Sequence, residues 1–302
     1  MNYAEIQSRK GLYGWAPKLP YILGMECYGE IVAIGSKCTN RKIGENVVIG
    51  TQFGAYAEYI VVDEIQVLPA IKDFSPEENA AFAVNYMTAW VSLVNIARIK
   101  SSDSVLIQVA AGGVGTAAVQ IAKAYGCRVF GTSSCDKKIK LLEELNVDVP
   151  INYKKTDFTE IVRSDRDGGG VDIVLEVVGG DVFKKSIDLL NPFGRIVVAG
   201  FASLDLNKWN PISWIKTYRS IPRATVSKLG ESSTGLMATH LGYLINKPNL
   251  MTKLWLDLTD FIKNHNIKPI VGHTFHFNEI KKAHELMESR NSKGKIVIKV
   301  ND

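Results

Sequence analysis

The stretch SVLIQVAAGGVGTAAVQIAKAYG, residues 104–126, carries no charge from Ser104 to Ala122 and has three glycines at its centre. A membrane span, a buried core segment and a ligand-gripping turn would each look like this. SVLIQV is a short apolar run rich in β-branched residues that stops at the glycines, the pattern of a buried strand. Past the turn, Val114, Ala118, Ile121, Ala122 and Tyr125 recur at helical spacing, so the chain passes from strand through glycine into helix. A glycine break inside a bilayer would leave backbone groups without partners, which argues against a span. The other uncharged run, residues 79–97, holds Asn85, Thr88 and Asn95 and is read as a buried helix for the same reason.

Working outward, further apolar strands are expected at RVFGT (128–132), VDIVLEVV (171–178) and GRIVVAG (194–200), with helices near 136–145 and 181–190. Buried strands alternating with crossover helices predict an α/β fold with a Rossmann-type doubly wound parallel sheet. Ligands of such sheets lie at the carboxyl ends of the strands, where the glycine turn sits. Gly112 and Gly113 would let backbone N–H groups approach a pyrophosphate at the helix N-terminus, and Gly115 would let that helix press on the strands. The fingerprint is altered, since Ala110 stands at the first glycine position, and alone it also fits a turn that binds nothing.

The 302 residues are 46% apolar and carry a net charge of +5 spread along the chain, which supports a folded core and argues against nucleic acid. Four cysteines, Cys27, Cys38, Cys127 and Cys135, have no metal-ligand spacing and suit a reducing compartment. The N-terminus MNYAEIQSRK lacks the apolar stretch of a secretory signal, so a cytoplasmic location is the default expectation.

Several dispersed motifs carry a resemblance. AAGGVGTAAVQIAKAYG, LGMECYGEIVAIGS, FGAYAEYIVV, VNYMTAW and GKIVI together resemble the zinc-free quinone oxidoreductases of the medium-chain dehydrogenase/reductase superfamily. RKGLYGWAPKLPYILGME, VNYMTAW and HLGYL are most similar to the synaptic vesicle amine-transport protein homologues, relatives of zeta-crystallin. The resemblance implies a GroES-like β-barrel domain at 1–85 that returns at 266–302, a dinucleotide-binding domain at 86–265, and a nicotinamide and substrate held between them. GEIVAIGS, GENVVIG and AYAEYIVV fit the short strands of such a barrel. Family members carry further N-terminal residues ahead of the segment matching NYAEIQSRKGLY. The barrel is therefore expected to lack its first strands, through a truncated gene model or fragment, or else to be unusually fragile.

Zinc members have Gly-His-Glu where this chain has Gly24-Met25-Glu26, and a thioether is a poor zinc ligand, so no metal is expected. His273 and His276 lie in VGHTFHF, read as a strand, where an offset of three turns the rings to opposite faces. His240, His265 and His284 read as surface or capped residues.

The second strand ends in Thr132-Ser133-Ser134 rather than in the acid that holds the ribose of NAD, and Asp136 reads as a helix N-terminal residue. By resemblance, Ser134, Lys138 (or Lys137 in its place) and Tyr153 contact the 2′-phosphate of NADPH. Asn2 and Thr88 lie beside the nicotinamide, Gly179, Gly200 and Lys295 sit on loops around the cofactor, and Ala111, Gly112, Gly113, Val114 and Gly115 form the pyrophosphate turn. Asn85 and Tyr86 are substrate-side candidates, Tyr86 as donor to a developing enolate or hydroquinone oxygen. A tyrosine at the start of an apolar helix is equally read as core.

The expected function is an NADPH-dependent, zinc-independent reductase of quinones or α,β-unsaturated carbonyls, acting as a homodimer. The alternative implied by the vesicle homologues is an NADPH-binding protein without turnover that handles lipid at vesicle or mitochondrial membranes. The aromatic segments 207–229 and 234–244 read either as an apolar surface for such a ligand or as core beside a dimer edge.

Overall fold

In the computed structural model the glycine turn of residues 110–115 joins strand to helix, and residues 1–165, 169–203 and 211–300 are described. The chain forms two compact units, Met1–Met87 with Leu241–Asp302, and Thr88–His240.

The first unit opens with helix α1 (Tyr3–Arg9), whose N-terminus is closed by a capping box between Asn2 and Glu5. Strands β1 (Glu26–Glu30), β2 (Asn46–Gly50) and β3 (Val67–Pro69) form an antiparallel sheet in chain order, with Glu26 opposite Gly50 and Val47 opposite Pro69. Val47, Val48 and Ile49 bury the centre of that sheet. Helix α2 (Pro76–Trp90) follows, continued by a π-helical turn over Val91–Ile96.

The second unit is the alternating pattern expected of it. β4 (Ser104–Ile107), α3 (Gly113–Ala124), β5 (Arg128–Ser133), α4 (Asp136–Glu144), β6 (Val149–Asn152), α5 (Phe158–Ser164), β7 (Val171–Glu176), α6 (Gly180–Ile187), β8 (Leu190–Val198), α7 (Pro211–Ser220), α8 (Val226–Ser232) and β9 (Gly235–Ala238) follow in order. All six strands pair in parallel, in the order β6-β5-β4-β7-β8-β9. Strand order reverses between β4 and β7, so their carboxyl ends form the switch point at which doubly wound sheets bind ligands. Leu106, Phe130, Val174 and Ile196 fill the core, and Arg195 on β8 pairs with Asp103 ahead of β4 at 2.7 Å.

The chain then returns to the first unit with α9 (Pro248–Asn264), β10 (Val271–His276), α10 (Ile280–Glu288) and β11 (Lys295–Lys299), β10 and β11 pairing in parallel. Residues 241–265 group with this unit rather than with the dinucleotide part. The ring contacts give the reason: Trp255 of α9 stands edge-on to Phe82 of α2 at 5.3 Å, and Phe82 stacks on Tyr86 at 4.8 Å.

One expected strand does not form. AYAEYIVV (55–62) bends at residues 56–58, and Tyr59 and Val61 are largely exposed. Ala55 N–H donates to Gly24 O at 3.1 Å and Tyr56 N–H to Leu23 O at 2.9 Å, but among the described residues this pairing does not continue past Tyr56 into a ladder. No helix among the described residues is long and apolar enough to cross a membrane.

Candidate functional site

The second unit places the glycine turn on the carboxyl end of β4. Gln108 extends the ladder by donating its N–H to Leu175 O at 3.1 Å, and Val109 then turns with φ 56°. A β-branched residue in that region is strained by about 1–3 kcal/mol, so surrounding contacts must impose it. Ala110 N–H donates to Thr132 O at 2.8 Å, and Gly112 opens α3. A Cβ on Gly115 would lie 2.2 Å from Val109 O and 2.7 Å from Ala110 Cα, so close packing of helix on turn demands glycine there. The departure at Ala110 also has a physical account. A Cβ on Gly131 of β5 would come 3.0 Å from Ala110 Cβ, so the methyl at 110 occupies room that a bare glycine on the neighbouring strand leaves.

Replacing Gly115 with alanine is therefore expected to push α3 off the turn. About 1–3 kcal/mol of stability would be lost, and nucleotide affinity would fall by more than about tenfold. Chemical denaturation and dinucleotide titration check both, and unchanged values would remove the close-approach argument.

At the end of β5, Ser133 and Ser134 are buried, and the Ser133 hydroxyl has no hydrogen-bond partner. Such a group asks for a ligand or a water. Lys138 on α4 is largely buried while Lys137 is exposed. Burial lowers the Lys138 ammonium below the usual lysine range, and Lys154 adds to that through repulsion, although Cys135 opposes both. Tyr153 is 42% exposed and its backbone N–H donates to Ser133 O. Asp136 is occupied: its carboxylate accepts from Lys155 at 2.8 Å and from Asn152 Nδ2 at 3.0 Å. Two hydroxyls and two lysines thus gather where an acid would hold an unphosphorylated ribose, and the α3 N-terminus capped by Gly112 offers backbone N–H groups to an anion.

Past β7, Gly179 (φ 82°) and Gly180 (φ 60°) turn the chain into α6. The loop is pinned on one side by Ala202 and Ser203, whose N–H groups donate to Val177 O and Val178 O, with Gly200 packed against Val177. On the other side Glu176, absent from the sequence-derived candidates, accepts from Val178 N–H and Gly179 N–H. Thr88, also in this unit, is buried and its carbonyl accepts from Ser92 Oγ at 2.7 Å.

The first unit gathers the remaining candidates differently from expectation. Lys295 is not on a loop but opens β11, buried, with its ammonium on Asn2 Oδ1 at 2.7 Å and on Glu26 Oε1. Asn2 Nδ2 donates to Glu26 Oε1 at 2.8 Å, and Asn2 N–H to Glu5 Oε2 at 2.8 Å. Glu26 Oε2 accepts from Val84 N–H. Burial pushes the Glu26 carboxyl up, but the Lys295 ammonium beside it holds it below the ordinary glutamate range. Glu5 completes the cluster, also accepting from Met25 N–H and Tyr56 OH. Glu26 and Glu5 were not legible as partners in the sequence.

Tyr86 takes the core alternative. It lies in the second half of α2 rather than at a helix start, is 1% exposed, stacks on Phe82, and donates its hydroxyl to Lys268 O at 3.0 Å. Asn85 is buried, with Nδ2 on Ala81 O at 3.3 Å. The same unit brings Tyr243 of the aromatic segment 234–244 together with residues near the N-terminus: Tyr13 and Tyr243 each stand edge-on to Trp15 at 6.4 Å. Trp15 lies so close to Gly242 that a Cβ there would approach its ring to 2.6 Å. Burial raises the Tyr13 hydroxyl to about 12, so it is a donor at neutral pH. Of the segment 207–229, residues 207–210 fall outside the described part.

His284 is buried edge-on to Tyr56, not a surface residue, and His265 Nδ1 lies 2.8 Å from Phe261 O. Among the described residues, no group of three His, Cys, Asp or Glu side chains is placed to hold a metal ion.

A six-stranded parallel sheet with this strand order and a glycine turn at its switch point defines a dinucleotide-binding class of fold. Comparison with known proteins agrees. Residues 1–73 match the alcohol dehydrogenase GroES-like domain, and residues 113–234 match the zinc-binding dehydrogenase domain. The zebrafish (Danio rerio) synaptic vesicle membrane protein VAT-1 homolog is 34% identical over 99% of this chain, which spans 62% of that relative's length. The human homolog is 32% identical over 99% of the chain and 76% of its own length. The structure of Escherichia coli quinone oxidoreductase complexed with NADPH superposes with a TM-score of 0.86 at 26% identity, covering 99% of this chain and 88% of that one. The chain belongs to the medium-chain dehydrogenase/reductase superfamily, among its quinone oxidoreductase and VAT-1 homologue relatives.

Proposed function

We propose that the protein is an NADPH-dependent, zinc-independent reductase of quinones or α,β-unsaturated carbonyls. The observation that carries this reading is the end of β5. Two buried serines, one with an unpartnered hydroxyl, stand beside Lys138 where an NAD enzyme would place an acid, and Asp136 is already engaged. The NADPH in the E. coli quinone oxidoreductase structure supports the same cofactor here.

Bound there, NADPH supplies a hydride to the acceptor, and solvent supplies the proton that completes reduction. The chain's own residues orient and exclude water. The turn from Ala111 through Val114 to Gly115 would seat the pyrophosphate at the α3 N-terminus, and Ser134, Lys138 and Tyr153 would hold the 2′-phosphate. Asn2 would position the nicotinamide amide, locked in one rotamer by Glu26, Lys295 and Glu5. The Tyr13, Trp15 and Tyr243 cluster offers aromatic surface to a planar acceptor. Zinc independence follows from the donor set. Met25 offers a buried thioether, and both oxygens of Glu26 are taken by Asn2, Lys295 and Val84.

The vesicle-membrane names of the VAT-1 relatives favour one other reading, an NADPH-binding protein without turnover at a lipid surface. NADPH oxidation with a panel of quinones and enones, run beside NADPH fluorescence titration and liposome co-sedimentation, separates the two. Turnover with at least one acceptor is expected. NADPH binding with no turnover and with co-sedimentation would replace the reductase by the membrane reading.

A further inference from the structure

A buried line of hydrogen bonds runs beneath both loops assigned to the dinucleotide. Val109 N–H donates to Thr132 Oγ1 at 3.1 Å, the Thr132 hydroxyl to Gln108 Oε1 at 2.7 Å, and Gln108 Nε2 to Ser186 Oγ at 3.0 Å. The Ser186 hydroxyl then donates to Glu176 Oε2 across the loosest joint, 3.5 Å, and Glu176 Oε1 collects the N–H groups of Val178 and Gly179. Thr132, Gln108, Ser186 and Glu176 are all buried, and every donor in the line points toward the carboxylate. One end restrains the strained backbone of Val109 in the glycine turn, and the other pins the 177–180 loop.

We propose that Glu176 is a positioning residue for the cofactor: through Ser186, Gln108 and Thr132 it sets the glycine turn and the Gly179 loop together, and so governs dinucleotide affinity without touching the ligand. The inference rests on the NADPH reading given above. Aligned donors in a low-dielectric interior polarise one another, so an ionised terminus tightens the whole line. A proton on Oε2 would meet the Ser186 hydroxyl head-on and force it to turn, opening the line at its weakest joint.

Among the described residues, the charged side chains of the neighbouring elements are engaged elsewhere or exposed. Glu176 pairs with Val198 on β8 and accepts from Ser186 on α6, which in turn accepts from Gln108 after β4. The charged residues of α6 pair elsewhere, Lys184 with Asp181 and Lys185 with Asp157, while Asp188 binds Lys228. Arg195 of β8 is held by Asp103, and Arg219 of α7 is exposed. Burial pushes the Glu176 carboxyl up to about 7 against its backbone hydrogen bonds, so both forms are present near neutrality.

The test is NADPH titration from about pH 6 to about pH 8 on wild type and Glu176→Gln in parallel, so that titration of the ligand's own phosphate cancels. Wild type is expected to weaken as pH falls through about 7. The variant, still folded, should bind about five- to tenfold more weakly at pH 8 and lack that component. Thr132→Val, which cuts the line without changing a charge, should lose about three- to tenfold, and it carries the test if Glu176→Gln does not fold. Wild-type affinity and pH profile in the variants would overturn this inference alone. No NADPH binding by wild type at any pH would overturn the dinucleotide reading and this inference with it.

Discussion

Replacing Lys295 with methionine is expected to destabilise the first unit by about 3–5 kcal/mol at pH 8. Lys295 and Glu26 are each about 98% buried, so solvent screens neither, and removing the ammonium strands a carboxylate in the interior. The pH dependence follows from the sign of the Glu26 shift. In the wild type the folded carboxyl lies below its ordinary value, so the pair contributes stability above about pH 4.5 that is lost as pH falls. Without Lys295, burial raises that carboxyl instead, and the loss in the variant should shrink as pH drops toward 5 and Glu26 takes a proton. The double variant Lys295→Met with Glu26→Gln should recover most of the deficit, because no charge is then left buried. Denaturant titrations at two pH values check this, and a single variant within about 1 kcal/mol of wild type at pH 8 would show that the pair carries no weight.

Glu176→Gln is expected to do the opposite, raising stability at pH 8 by up to about 3 kcal/mol. The folded carboxyl, pushed up to about 7, keeps a proton over a range in which the unfolded chain has released it. Its burial therefore costs nothing below about pH 4.5, costs progressively more through that range, and reaches the full amount above about 7. Gln removes the charge while keeping an oxygen for the Val178 and Gly179 N–H groups. The gain should accordingly be large at pH 8 and nearly absent at pH 4.5, as thermal unfolding at the two values would show. A variant more stable than wild type and weaker for NADPH would separate the cost of burying this carboxylate from its part in setting the two loops.

The glycine turn, the parallel sheet and the strand that ends in serines were legible because each is a local pattern: an apolar β-branched run, a break, and a helical period. Glu176 and Gln108 were hidden in the same runs. In VDIVLEVV and SVLIQV a polar residue near the end of an apolar strand reads as the place where burial stops, whereas here both side chains stay inside and are joined through Ser186. Lys295 was found only by resemblance, and its partner Glu26 lies 269 positions away, beyond the reach of any local pattern. Tyr86 was left open between core and catalysis because its hydroxyl's partner, the carbonyl of Lys268, comes from another part of the chain. The segment 55–62 misled because residue preference for extended backbone does not by itself make a ladder: the chain bonds to residues 23–24 at Ala55 and Tyr56 and then bends over 56–58.

Ala110 and Gly131 share one methyl's worth of room between β5 and the turn. A Cβ at 131 would also come 3.1 Å from Val147 Cγ1 and 3.3 Å from Leu142 Cδ1, so three side chains would have to yield together to admit one carbon there. The glycine that keeps this corner open stands on the neighbouring strand, outside the fingerprint in which Ala110 is the exception.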